Sequence, residues 1–258
     1  MRTDRFWQAA EILGALVLWQ GLALMEVAPR HLFPGPVDVA VRLGELSLTE
    51  LHRALLVTIG RLLIGYTGAA VVGVALGVGL AQRREISALA GPAVQVMRAV
   101  PTICWFPLAV LWLGQSEWTI LLMVAIGTLC EVASATEEAI RVIPPRYIHA
   151  AATMGVRGWR LYERVMLPAA FPTLLTGLRM GWSFSWRCLM AAELLVRQGG
   201  LGDLLGAGGE AHDPAQVIAV IAMILTIGLL VDRQIFARAE WLVVRRWGPQ
   251  VTGDLISG

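Results

Sequence analysis

Apolar residues run through this chain in long blocks, without the strict alternation of a barrel strand. Six blocks approach or exceed the ~20 residues a helix needs to cross a bilayer's hydrocarbon core: 10–28, 55–81, 91–113, 117–139, 169–195 and 214–232. In lipid such segments must satisfy their own backbone, which makes them helices. The pattern predicts an all-α polytopic membrane protein, a single transmembrane domain over 1–258 with its core at 55–232. The N-terminal span 10–28 precedes that core, followed over 34–48 by a Pro-started amphipathic helix expected at the outer surface. Arg2 and Arg5 stand ahead of the first span as in a signal peptide. That span exceeds an h-region and lacks a small-x-small cleavage site, so it reads as uncleaved. No internal repeat is evident, which weakens an inverted-repeat transporter architecture.

Composition agrees, with 57% hydrophobic residues and a mean hydropathy of +0.66. The net charge of +2 is too small to argue for nucleic acid. All 21 basic residues are arginine, and their placement is informative. Arg2, Arg5, Arg83, Arg84, Arg141, Arg146, Arg157, Arg160, Arg164, Arg233, Arg238, Arg245 and Arg246 fall on one side of the predicted topology. Arg30, Arg42, Arg53 and Arg197 fall on the other. The positive-inside rule therefore puts the N-terminus and the loop 140–168 in the cytoplasm. Cys104, Cys130 and Cys188 are scattered through apolar blocks with no CxxC and read as small buried hydrophobes.

Two blocks carry unusual content. In the second, Gly65, Ala69, Gly73, Gly77 and Ala81 recur every four residues, a small-residue stripe that lets helix backbones approach closely. In the fifth, Thr173, Gly177, Gly181 and Ser185 repeat the device. Arg179, Trp186 and Glu193 recur there every seven residues, within about 40° of one another on a helical wheel, beside Trp182. A charge deep in a span rarely faces lipid, so this face should look at protein or a water-filled path. Arg179 is near enough to one end to snorkel, and Glu193 and Arg197 are spaced for an i,i+4 pair. Arg187, close to mid-membrane, lines the path or pairs internally; Glu131 in the fourth block is a weaker case of the same kind. Pro101 and Pro107 in the third block, after Arg98-Ala99-Val100, predict a kinked helix. The glycine-rich run 199–209 has no GxxxxGK[ST] and reads as a flexible turn. There is no HExxH, GxSxG or Walker lysine, and His31, His52, His149 and His212 are scattered over loops, so the chain is not expected to be an enzyme.

The loop 140–168 holds the most specific motif. His149-Ala150-Ala151-Ala152-Thr153-Met154-Gly155 is followed, after nine residues, by Val165-Met166-Leu167-Pro168. This resembles the cytoplasmic coupling loop of ABC importer permeases, which reads Glu-Ala-Ala, three residues, Gly, nine residues, Ile-x-Leu-Pro. With Arg61 to Tyr66, Met97 to Pro101, Leu111 to Gly114, Gly177 to Arg179, Ala192-Glu193 and Gly200 to Gly202 in order, the chain is similar to the aliphatic sulfonate, taurine, nitrate and bicarbonate branch.

The resemblance implies a homodimeric permease of the bacterial inner membrane. It would bind two cytoplasmic ABC ATPase subunits, which hold ATP and Mg, and receive solute from a periplasmic or lipid-anchored binding protein. The chain itself would carry no cofactor and no metal. His149, Ala150, Ala151, Gly155, Leu167 and Pro168 would couple to the ATPase, through a helix expected over about Pro145 to Val156. The sequence departs from the family twice, with His149 at the acidic position and Arg187 where an apolar residue is usual. Arg187 points to a small anion, an aliphatic sulfonate before nitrate or bicarbonate, with Trp182 and Trp186 as an apolar wall. The alternatives are an uncharged or cationic solute such as a pyrimidine precursor, with Arg187 neutralised by Glu131 or Glu193, or an ion-coupled secondary transporter.

Overall fold

The computed structural model describes residues 2–25, 29 and 32–247. Residues 26–28, which end the expected first span, and Arg30 and His31 lie outside the described residues. Every regular element among the described residues is helical. In order they are α1 (Arg2–Leu24), α2 (Pro36–Glu45), α3 (Leu48–Gln82) and α4 (Arg84–Ala99). A 3-10 turn (Thr102–Trp105) leads to α5 (Phe106–Leu113) and α6 (Glu117–Arg141). The loop region holds α7 (Pro145–Thr153), the single turn α8 (Trp159–Leu161) and a π-helical turn (Tyr162–Met166). Then come α9 (Leu167–Val196), α10 (Leu201–Glu210), α11 (Pro214–Val231), a second π-helical turn (Asp232–Phe236) and α12 (Ala237–Trp247).

Three helical stretches are long and apolar enough to cross a membrane: Leu48–Gln82, Glu117–Arg141 and Pro214–Leu242. The expected span 91–113 is not one helix. It is α4 and the segment Thr102–Leu113, bent by 102°. Pro101 supplies no N–H and forces the residue before it out of the helical region, and Val100 is extended, with ψ of 126°. The kink expected from sequence is therefore a break. Of the remaining expected spans, α1 is apolar only over Leu13–Leu24. The 30-residue α9 is long enough, but its serines, threonines, tryptophans and charges dilute its apolarity.

The chain divides into two compact units, Met1–Thr58 with Glu193–Ile227, and Ile59–Ala192 with Gly228–Gly258. In the first, α2 starts at Pro36, with Asp38 reaching back to accept from the Gly35 N–H at 2.9 Å, which fixes the entry of the chain. The glycine-rich run expected to be a flexible turn is helix α10, and its start is held by side chains. The Thr58 hydroxyl accepts from the Leu201 N–H at 2.9 Å, and the Glu193 carboxylate accepts from the Gly202 N–H at 3.0 Å. These contacts satisfy donors that a helix start leaves free and place a negative charge at its positive end. Glycine's poor helix propensity is overridden by tertiary anchoring.

The second unit is built around α6, with small residues closing on it from two sides. Gly65, Ala69, Gly73 and Gly77 are all buried. A Cβ on Gly73 would lie 2.9 Å from the Leu129 carbonyl oxygen, and one on Gly65 2.8 Å from Val124 Cγ1. From α9, Gly181 closes on Val132 and Gly177 on Ala135, while the Thr128 and Ser185 hydroxyls share a short hydrogen bond. Both stripes therefore pack on the same helix, which explains why Val124, Val132 and Ala133 are completely buried. Backbones this close gain dispersion contacts that lipid tails cannot supply.

Candidate functional site

The loop 142–168 begins at Pro144-Pro145, which set the dihedral angle and remove donors no helix start can use. The nine-residue α7 ends at Thr153, and the chain leaves it in a tight turn. The Val156 N–H donates to the Ala151 carbonyl at 2.9 Å and the Gly155 N–H to the Ala152 carbonyl at 3.1 Å, a Schellman closure. Gly155 has φ of +77°, and nothing lies within 4 Å of where its Cβ would be, so backbone conformation rather than space requires glycine here. Ala151 is buried, whereas His149, Ala150 and Met154 are exposed. Leu167 is 54% exposed and Pro168 is half-buried. Pro168 cannot donate to the Arg164 carbonyl, and the preceding turn Tyr162–Met166 widens to π.

The candidate pathway residues of α9 separate into different environments. Arg179 makes a bidentate pair with Asp232, both bonds at 2.7 Å, and a third bond to Glu240 at 2.7 Å. It ties α9 to the second π turn and α12 rather than snorkelling. Trp182 is buried, edge-on to Tyr66 at 5.2 Å and 5.9 Å from Phe236, so it serves packing rather than an open wall. Trp186 is half-buried near Gly228. Glu193 is completely buried and also accepts from the Thr58 hydroxyl at 2.9 Å, which makes it an anchor for α10. The expected pair between Glu193 and Arg197 is replaced by pairs from Arg197 to Asp203 at 2.7 Å and to Glu210.

Arg187 differs from all of these. Its guanidinium is exposed, donates to the Ser183 carbonyl at 3.1 Å and lies 4.4 Å over the Phe184 ring. Among the described residues no carboxylate pairs with it. Neither proposed neutralising partner reaches it, since Glu193 caps α10 and Glu131 pairs with Arg98.

A profile described as binding-protein-dependent transport system inner membrane component matches residues 69–237. The chain belongs to this family. It is a multi-pass membrane permease. It is 30% identical over 226 residues to a putative ABC transporter permease protein of Methanocaldococcus jannaschii, covering 85% of this chain and 84% of that one. It is 28% identical over 231 residues to a putative aliphatic sulfonates transport permease protein of Bacillus subtilis, covering 88% and 83%. Permeases named for taurine, nitrate and bicarbonate transport match over comparable lengths, which places the chain in that branch of ABC importer permeases. An inward-facing structure of the MetNI methionine ABC transporter shares the fold, with a TM-score of 0.66 at 19% identity, covering 77% of this chain and 98% of that one.

One feature of the permease escaped sequence reasoning. Arg98, at the last turn of α4, pairs with Glu131 of α6 at 3.1 and 3.4 Å. Gln95, Arg98, Thr102, Glu131 and Phe184 line a cavity of about 350 Å³ beside the broken helix. In the sequence Arg98 stands in a proline motif and Glu131 alone in the fourth apolar block. The signal that joins them is that each is an isolated charge in an apolar block and must find a partner.

Proposed function

We propose that this permease is the membrane subunit of an ATP-driven importer for a small anion, an aliphatic sulfonate before nitrate or bicarbonate. The observation that carries the anion is Arg187. A fixed cation within a span costs at least a few kcal/mol in isolation, and an anion crossing at that depth provides the charge-assisted hydrogen bonds it lacks. Relatives named for sulfonate, nitrate and bicarbonate transport support the same class. Two cytoplasmic ABC ATPase subunits would bind ATP and Mg, because this sequence has no Walker lysine to cradle a phosphate. α7 and the turn at Gly155 would dock on them, with His149 taking the place of an acidic contact. A second copy of the chain would complete the pathway in a bacterial inner membrane, and a periplasmic or lipid-anchored binding protein would deliver the solute.

The test is uptake of labelled taurine, ethanesulfonate, nitrate and bicarbonate by proteoliposomes holding the permease with its ATPase and binding protein. Uptake of one of these should require ATP, fall at least about tenfold in Arg187→Ala, and recover in part in Arg187→Lys. Full uptake in both variants with intact assembly would remove the argument for an anion. Uptake that persists without ATP and collapses with an ion gradient would overturn the importer reading itself.

A further inference from the structure

The cavity beside the α4 break is partly open, with Gln95 and Arg98 exposed along it, and it lies next to the middle of α6, where charged and polar groups are costly. Building on the anion reading above, we infer that this cavity is an intramembrane holding station for the solute, with Arg98 as its cation and Glu131 as a built-in carboxylate that occupies Arg98 between solutes.

Four observations support this. The pair is loose. Its bonds of 3.1 and 3.4 Å exceed the 2.7 Å bonds of Arg179 to Asp232 in the same unit, and the Arg98 side chain remains 43% exposed. A guanidinium held this loosely can exchange its partner, whereas one in a tight bidentate pair cannot do so cheaply. The helix is broken at Val100-Pro101, immediately after Arg98, and non-helical backbone at membrane depth is tolerated where it is buried in protein or lines a water-filled cavity. Phe184 lines the cavity and lies under the Arg187 guanidinium, so a second arginine stands one ring away from the Arg98–Glu131 pair. A monoanion whose oxygens replace those of Glu131 would give the Arg98 guanidinium the same charge-assisted bonds. Finally, a second cavity of about 300 Å³ shares Gln95 and Arg98 and continues past Ser134 to Arg141, the last residue of α6. Arg141 is itself paired with Glu137 at 2.7 Å, and Glu138 lines the same cavity, so this continuation carries carboxylates that would not retain an anion.

Glu131 then has a definite role. An arginine with no competing carboxylate would hold an anion more tightly, and transport requires binding strong enough to enter and weak enough to leave. An internal carboxylate competing for the same guanidinium weakens retention and restores the empty site after release.

Equilibrium dialysis of labelled ethanesulfonate and nitrate against the purified permease–ATPase complex, without binding protein, tests the station directly. Wild type should bind one probe weakly. Glu131→Gln should bind it about tenfold tighter and slow ATP-driven uptake, because release becomes limiting. Arg98→Gln combined with Glu131→Gln should assemble normally, having no unpaired charge, yet lose binding. If the pair only ties α4 to α6, the double variant will recover wild-type assembly, binding and uptake together, and the station is refuted. Anion uptake that proceeds with no dialysable binding in either wild type or Glu131→Gln also refutes it, and leaves the importer reading intact.

Discussion

Arg179 and Arg187 lie about two turns apart on α9, and only their surroundings distinguish them. The first is consumed by Asp232 and Glu240 and the second has no carboxylate among the described residues. A wheel drawn from the sequence cannot separate them, because the partners of Arg179 come from residues more than fifty positions away. Asp213 shows the same dependence on context. It accepts from the Gln216 N–H at 3.0 Å at the start of α11 and from Arg42 Nε at 2.6 Å. Burial alone would raise its carboxyl, but the bonds from Gln216 and Arg42 outweigh that and hold it below the usual carboxylate range. Because its folded value is the lower one, its contribution to stability is present above the unfolded value near pH ~3.9 and is lost as pH falls through the folded value. Asp213→Asn should therefore be less stable than wild type near neutral pH, and the gap should close below about pH 4. Thermal unfolding in detergent at stepped pH measures this, and a gap constant across the acid range would count against it.

At the scale of helices, the decisive element is α6, received between the small-residue faces of α3 and α9. A Cβ on Gly73 would meet the Leu129 carbonyl at 2.9 Å and Val132 Cβ at 3.1 Å, whereas one on the exposed Gly68 meets nothing within 4 Å. Gly73→Leu should cost more than about 2 kcal/mol and sharply reduce the yield of folded permease, and Gly68→Leu should leave it unchanged. Size-exclusion profiles after detergent extraction report both, and equal yields would mean that the stripe is not a packing surface. Both stripes were legible in sequence because spacing by four survives translation into one helix face. The break at Pro101 was read as a kink, since sequence marks where a helix loses a donor without setting the angle at which the chain resumes. The glycines of α10 predict a flexible turn, and its anchors, Thr58 and Glu193, are remote in sequence yet outweigh that local signal.

At the scale of the whole molecule, the order of motifs and the placement of arginines sufficed to read a polytopic permease, because both depend on the bilayer and on a linear register. The pathway chemistry was only partly legible. Arg187 stood out as an isolated charge, but the Arg98–Glu131 pair required two helices to be brought together. The proposed coupling requires that motion of an ATPase reach the membrane helices through α7, and Gly155 is the point where this can be broken with least disturbance elsewhere. A Cβ there meets nothing within 4 Å, so the main penalty of valine is the left-handed backbone, at least about 1–2 kcal/mol, borne by the turn that aims α7. The most direct measurement is ATP hydrolysis by the co-purified permease–ATPase complex, with and without solute-loaded binding protein, for wild type and Gly155→Val. Stimulation by the binding protein should be present in wild type and largely lost in Gly155→Val, while the extracted permease keeps its thermal stability within a few degrees. Equal stimulation in the two would contradict coupling through α7.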